Sequence, residues 1–275
     1  MESTLQEPLV IPSIKRHTAT IIFLHSVGDT GNGWREVAES FSPAIPHLKW
    51  VLPHAPTQII TANPHIPMPA WYDTSSFVLG TALARGEDEE GMIWAARELD
   101  ALIQAEIDAG VREERILIGG FSQGAVVALI AGLTMLGQEE GSTRRGRNLA
   151  GVAILSGYLP LKKKFKAALS ENASNTPIFW GQGIDDPLVP EEFGSSAVKE
   201  LTTSCAIPLV ENITIEANEG EPMSPLSSLT HSSIGLFGIP GISFRTYKGL
   251  SHMVCTQELK DMKTFLARAV PETFI

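Results

Sequence analysis

Gly120-Phe121-Ser122-Gln123-Gly124 is the stretch of this 275-residue chain with the spacing to do chemistry. A serine flanked by glycines at two-residue spacing suits a sharp turn between strand and helix, where strand and helix backbones come too close for side chains. In such an elbow the serine hydroxyl projects from the end of a sheet, at a helix N-terminus that favours developing negative charge. The bare pattern is weak, since composition alone produces it in about one chain of this length in ten. Its setting is the informative part. The β-branched run Arg115-Ile116-Leu117-Ile118 precedes it, and a small-residue apolar run from Ala125 to Leu136 follows.

A serine hydroxyl needs a base to become a nucleophile at neutral pH. Seven histidines are present, and the order nucleophile, acid, histidine leaves His231 and His252 as late enough. His252 falls directly after the last strand pattern and before the last helix pattern, so it is the expected base. His231 lies in a polar insertion and reads as an exposed loop residue. The acid belongs after an intermediate strand, and Pro177 to Trp180 leads into Gly181-Gln182-Gly183-Ile184-Asp185-Asp186. An aspartate there would orient the imidazole and stabilise its cation. Spacing alone leaves Asp185 and Asp186 open. Acyl transfer also needs oxyanion donors. The backbone N–H of Gln123 is one, and the loop Ser26-Val27-Gly28 after an early strand is the expected source of the second.

The elements that must hold these residues alternate. Thr18–Leu24, Lys49–Leu52, the strand before Ser122, Ala150–Leu155, Pro177–Trp180 and Ile242–Tyr247 read as strands. Segments from about Asn32 to Phe41, Glu87 to Ala109, Lys162 to Leu169, Glu191 to Thr203 and Cys255 to Ala269 read as helices, with four acids opening the second of these. Pro8 to Lys15 is a possible edge strand. This alternation predicts an α/β fold, with a mostly parallel central sheet and helices on both faces. The site then lies at the carboxyl ends of the strands. Residues 53–86 read as one long loop-rich connection, functional or disordered. A single domain over 1–275 is expected, with surface insertions near 138–148 and 205–240, the second a solvated loop or a lid.

Composition narrows the class. A net charge of −10 argues against nucleic acid or an anionic membrane as partner. Two cysteines, Cys205 and Cys255, make neither a disulfide framework nor a zinc site. The N-terminus has no signal-peptide pattern, and the uncharged segment Phe121 to Gln138 reads as a buried helix rather than a membrane span. A cytoplasmic protein with no cofactor and no metal is the expectation.

Several further motifs occur in a fixed order: Phe23-Leu24-His25-Ser26-Val27-Gly28-Asp29-Thr30-Gly31 with Gly33-Trp34, Pro53-His54-Ala55-Pro56, Pro69-Ala70-Trp71-Tyr72-Asp73, Gly119 to Gly124, Asp186-Pro187-Leu188-Val189-Pro190, and Tyr247-Lys248-Gly249 with His252. On these, over about residues 19–136, 149–204 and 242–270, the chain resembles the acyl-protein thioesterases of the lysophospholipase/carboxylesterase group. The resemblance implies an α/β-hydrolase fold and hydrolysis of acyl thioesters or esters without a cofactor. The family pattern Gly-x-x-Asp-x-x-Val-Pro falls on Gly183, Asp186, Val189 and Pro190 and selects Asp186. The resemblance also carries the nucleophile to Ser122, the base to His252, and the oxyanion donors to the backbone of Val27 and Gln123. Pro67, Met68, Trp71, Phe77, Val78 and Leu79 are expected along an acyl channel. The chain departs from the family at Ser26-Val27, which replaces a usual Gly-Leu, and at Ala125, which replaces a usual glycine. Depalmitoylation of proteins, hydrolysis of a small metabolite ester, and a non-catalytic binding role on the same fold are the competing functions. No expectation for the oligomeric state follows.

Overall fold

The structure is a computed structural model and describes residues 6–138, 146–217 and 238–272. In chain order the elements are β1 (Gln6–Ile11), β2 (Ala19–Leu24), α1 (Arg35–Phe41), β3 (Leu48–His54), β4 (Thr57–Ile60), β5 (Asn63–Pro69), α2 (Leu79–Arg85), α3 (Glu89–Asp108), β6 (Ile116–Phe121), α4 (Gln123–Leu133), β7 (Gly151–Leu155), α5 (Lys162–Ala167), β8 (Pro177–Gly183), α6 (Glu191–Thr203), β9 (Leu209–Glu216), β10 (Gly241–Lys248) and α7 (Thr256–Ala269).

Eight strands form one sheet in the order β1-β3-β2-β6-β7-β8-β10-β9, and β4 and β5 make a separate hairpin. β1 runs antiparallel to β3, and every other neighbour in the large sheet is parallel. The central strands are apolar at successive positions because helices cover both faces. In β2, Ile22 and Leu24 face α3 and α4, in the core that α6 also covers. Ile21 and Phe23 point to the other, against α1 and α7. The fold class is therefore the one expected from the alternation of elements.

Four local expectations change. Residues 53–86 are not one long loop. Thr57–Ile60 and Asn63–Pro69 pair as a hairpin, and Leu79–Arg85 is helical. Pro64, Pro67 and Pro69 hid a strand that lies outside the main sheet, where a missing N–H costs little. The segment 205–240 is not all surface insertion: Leu209–Glu216 joins the sheet edge beside β10. An edge strand with one face wet carries polar residues that weaken its pattern. Residues 218–237, with His231, lie outside the described residues. The polar stretch 138–148 also ends in an anchor. Arg147 is buried and pairs with Asp100 at 2.6 Å and Glu113 at 2.9 Å. Finally, the helix after Ser122 stops at Leu133, where Thr134 turns extended and its hydroxyl donates to the Ile130 carbonyl.

The sheet brings β2 and β6 side by side, with Leu24 opposite Gly120. That pairing sets the two loops that matter next to each other. α4 then packs back across the end of β2. A Cβ on Gly124 would collide with the Leu24 backbone, and one on Gly120 would collide with the backbone of Gly124. Both glycines are required by close approach of backbones. Gly124→Ala is expected to lower unfolding free energy by about 1–3 kcal/mol, readable as a lower urea midpoint.

Candidate active site

Ser122 occupies the one-residue turn between β6 and α4, at φ 55° and ψ −115°. A non-glycine residue held at positive φ costs about 1–3 kcal/mol and persists only where its neighbours over-determine it. Here its N–H donates to the Leu155 carbonyl at 2.9 Å, and its own carbonyl accepts from Ala125 and Val126 at the start of α4. The side chain is left at the carboxyl end of the sheet.

His252 and Asp186 arrive from two further strand ends. Ser122 Oγ lies 3.0 Å from His252 Nε2. His252 Nδ1 lies 2.7 Å from Asp186 Oδ2. The other Asp186 oxygen accepts from the N–H of Leu188 at 2.9 Å and of Val189 at 2.8 Å, so the buried carboxylate is satisfied on both sides. Asp185 takes a different part. Its carboxylate accepts from the Gly249 N–H at 2.8 Å and its N–H donates to the Leu250 carbonyl at 3.0 Å. It ties the acid loop to the histidine loop. The Phe121 ring lies 4.9 Å from the imidazole, tilted at 37°, and limits its swing.

The loop after β2 is braced from beneath. His25 is fully buried. Its Nε2 accepts from the Ala55 N–H at 3.0 Å, which leaves Nδ1–H to donate to the Ser26 carbonyl at 2.7 Å. Burial holds its pKa below the usual imidazole value, against the pull of the Ser26 carbonyl and the charge of Asp29, so it stays neutral. Gly28 sits at φ 80° and donates to the Pro69 carbonyl at 2.8 Å. Among the described residues, neither the Val27 nor the Gln123 N–H is taken by a backbone acceptor. Both residues line the same cleft as Ser122 and His252.

That cleft encloses about 190 Å³. Phe77, Leu79, Leu188 and Val189 give it an apolar side, while Ser26 and Thr74 are polar positions on its wall. Two expected channel residues, Phe77 and Leu79, therefore line it. Trp71 does not. Its indole is buried behind the wall, where Nε1 donates to the His25 carbonyl at 2.8 Å. Pro67, Met68 and Val78 are not lining residues either. A buried indole must satisfy its N–H, and the carbonyl that does so is in the interior.

Three contributors were not anticipated from sequence. The Gln123 side chain is a clamp: Oε1 accepts from the Trp71 N–H at 2.8 Å and Nε2 donates to the Tyr72 carbonyl at 2.7 Å. Tyr72 and Tyr158 form part of the wall and hydrogen-bond each other. Burial first, then the Tyr158 hydroxyl at Tyr72 and the charge of Glu87 at Tyr158, push both phenols above their usual range, so both are uncharged. The only sequence signal for Tyr158 is its place just past the carboxyl end of β7, where sites in such sheets gather.

Comparison with known proteins agrees with this arrangement. A family model described as Phospholipase/Carboxylesterase matches residues 5–230. The chain is 36% identical over 270 residues to acyl-protein thioesterase 1 of Cryptococcus neoformans, covering 98% of this chain and 100% of that one. It is 43% identical over 201 residues to acyl-protein thioesterase 1 of Schizosaccharomyces pombe, covering 73% and 83%. Among solved structures, Arabidopsis thaliana SOBER1 superposes with a TM-score of 0.69 at 25% identity, over 91% of this chain and 98% of that one. Zea mays acyl-protein thioesterase 2 shares the fold, with a TM-score of 0.71 at 24% identity over 96% and 99%. An elbow serine facing a histidine–aspartate pair at the carboxyl ends of a mostly parallel sheet and a family match over most of its length lead to one assignment: the chain belongs to the phospholipase/carboxylesterase family of α/β-hydrolases.

Proposed function

We propose that this hydrolase cleaves acyl thioesters or carboxylic esters through an acyl-enzyme on Ser122. The observation that carries the reading is the unbroken chain Ser122–His252–Asp186, at 3.0 and 2.7 Å. Ser122 Oγ attacks the carbonyl carbon while its proton passes to His252 Nε2. Asp186 stays ionised and supports the imidazolium. The carbonyl oxygen becomes an oxyanion, received by the backbone N–H groups of Val27 and Gln123. As the C–S or C–O bond breaks, His252 returns the proton to the leaving thiol or alcohol. Water then enters, gives a proton to the same nitrogen as its oxygen bonds to the acyl carbon, and His252 returns that proton to Ser122 Oγ as the Oγ–acyl bond breaks and the acid leaves. No residue in this sequence of steps calls for a metal or cofactor.

For substrate, the relatives named acyl-protein thioesterase favour acylated proteins. The cleft favours a second reading. At about 190 Å³ it is smaller than the roughly 300–1,000 Å³ of sites that enclose drug-sized ligands. A short acyl chain fits inside, whereas a long one must run out past Phe77, which is half-exposed at the mouth. A small-metabolite ester would then be the substrate. Two unpaired thiols, Cys205 and Cys255, suit the cytoplasm as the place of action. No described helix is long and apolar enough to cross a membrane. We read the whole of 1–275 as one catalytic domain, since strands from Gln6 to Lys248 share one sheet.

The test is hydrolysis of ester and thioester series of rising acyl length. Turnover of long-chain thioesters is the result expected of a deacylase for lipidated substrates. Turnover confined to short esters selects the small-metabolite reading. No turnover in any series sinks both and leaves a binding protein on this fold. Leu79→Trp, which fills the apolar side of the cleft, is expected to lower kcat/KM for the longest accepted chain about tenfold more than for acetyl. Equal losses for both would remove Leu79 from the acyl side.

A further inference from the structure

Against Gly181 of β8, outside the residues that line the cleft, lies a buried group of charges that the hydrolytic steps do not use. Glu258 in the first turn of α7 is fully buried. Neither of its carboxyl oxygens meets a hydrogen-bond partner. The carboxyl rests against Gly181 of β8, where a Cβ would collide with Oε1, so this seat is built around the carboxyl group.

The groups facing it are mostly acidic. Asp261 comes from the next turn of α7, Asp186 from the loop after β8, and the buried Tyr247 hydroxyl from β10, with Cys255 at the start of α7. Arg245 of β10 is the cation of the cluster. It pairs with Asp261 at 3.0 Å and with Glu211 of β9 at 3.0 Å, and donates nothing to Glu258. Asp261 also accepts from the Tyr247 hydroxyl at 2.8 Å and from Gln257 at 2.9 Å. Asp186 has the donors described above. Of the three carboxyl groups, Glu258 alone has no donor within hydrogen-bond distance. An uncompensated buried carboxylate is costly, so this group rests as the neutral acid. Burial, then the charge of Asp261, push it up to about 8, with Asp186 adding to the shift and the Cys255 N–H opposing it.

We propose that Glu258 is a positioning residue for the His252–Asp186 pair, a proton-operated charge near Asp186: neutral, it leaves the pair alone, and ionised, it makes His252 a stronger base. The proposal rests on the hydrolase reading. Glu258 exchanges its proton with solvent and takes no part in bond making. Its negative charge favours the imidazolium that forms as Ser122 attacks. The acylation rate then rises with pH in two steps, the upper of which follows the loss of the Glu258 proton. The upper step is expected to raise the rate about two- to fivefold, the response to a strengthened base.

The experiment is the rate of Ser122 labelling by a fluorophosphonate between about pH 5 and 10, in the wild type and in Glu258→Gln, which keeps the shape of the neutral acid. Two steps in the wild type, and loss of the upper one alone in the variant, are the expected result. A single step in the wild type overturns the proposal, as does an upper step that survives in Glu258→Gln. If the variant does not fold, the wild-type profile decides. Labelling without an upper step fails this inference and leaves the hydrolase reading intact. No labelling at any pH fails both.

Discussion

Ser122→Ala is expected to abolish hydrolysis, with kcat falling on the order of 10⁴–10⁶-fold while the fold is kept. The alanine removes the atom that attacks and the proton that His252 takes. What remains are the two oxyanion N–H groups and the cleft, which still bind and polarise a carbonyl and account for a small residual rate. The protein should survive the change. Ser122 makes its structural bonds through the backbone, to Leu155, Ala125 and Val126, and alanine can make the same ones. Melting temperature therefore separates a chemical loss from a structural one. An unchanged melting temperature with unchanged hydrolysis would show that Ser122 is not the nucleophile. A fluorophosphonate that labels the wild type and not the variant gives the same answer without a substrate.

Asp186→Asn should cost roughly 10⁴-fold in kcat, and the geometry says why an isosteric change is so damaging. One Asp186 oxygen accepts two backbone N–H groups, from Leu188 and Val189. An asparagine satisfies them only with its carbonyl oxygen. Its NH₂ is then turned toward His252 Nδ1, where the carboxylate had accepted. The imidazole must place its proton on Nε2 and cannot take one from Ser122. Asp185→Asn is the matched control. Asp185 contacts the Gly249 N–H rather than the imidazole, and an amide oxygen can accept that bond. Its loss of activity should stay within about tenfold, expressed through the placement of the loop that bears His252. Parallel kcat values for the two variants measure the difference. Comparable large losses would mean that loop position, and not the tautomer of His252, limits the rate.

Much of this site was legible in the chain because short continuous apolar runs alternate with segments of helical period. The apolar runs at Ala19–Leu24, Ile116–Phe121 and Gly151–Leu155 read as buried parallel strands, and the carboxyl ends of the first two locate the loops at His25 and Ser122. The glycines at 120 and 124 signal backbone contact in the sequence itself, and that contact exists with β2 and within the elbow. The elements that were not legible had weaker patterns for identifiable reasons. β9 is an edge strand with a wet face, and the hairpin β4–β5 contains prolines that a central strand would not tolerate.

By itself the sequence determined the parallel α/β class, the serine at a strand-to-helix elbow, a late histidine and a pair of candidate aspartates, because each follows from local pattern and chain order. Local spacing left the two aspartates open and the family pattern pointed to Asp186; the physical reason lies in three dimensions. Adjacent residues in a tight loop point in different directions, so Asp186 turns inward to the imidazole while Asp185 reaches Gly249. The placement of Trp71 behind the cleft and of Phe77 and Leu79 in it has the same origin, since exposure in an irregular segment carries no periodic signal. Glu258 is the clearest case. In the sequence it is one more polar residue in the last helix; only packing against Gly181, with Arg245 committed elsewhere, leaves it buried and without a partner beside Asp186.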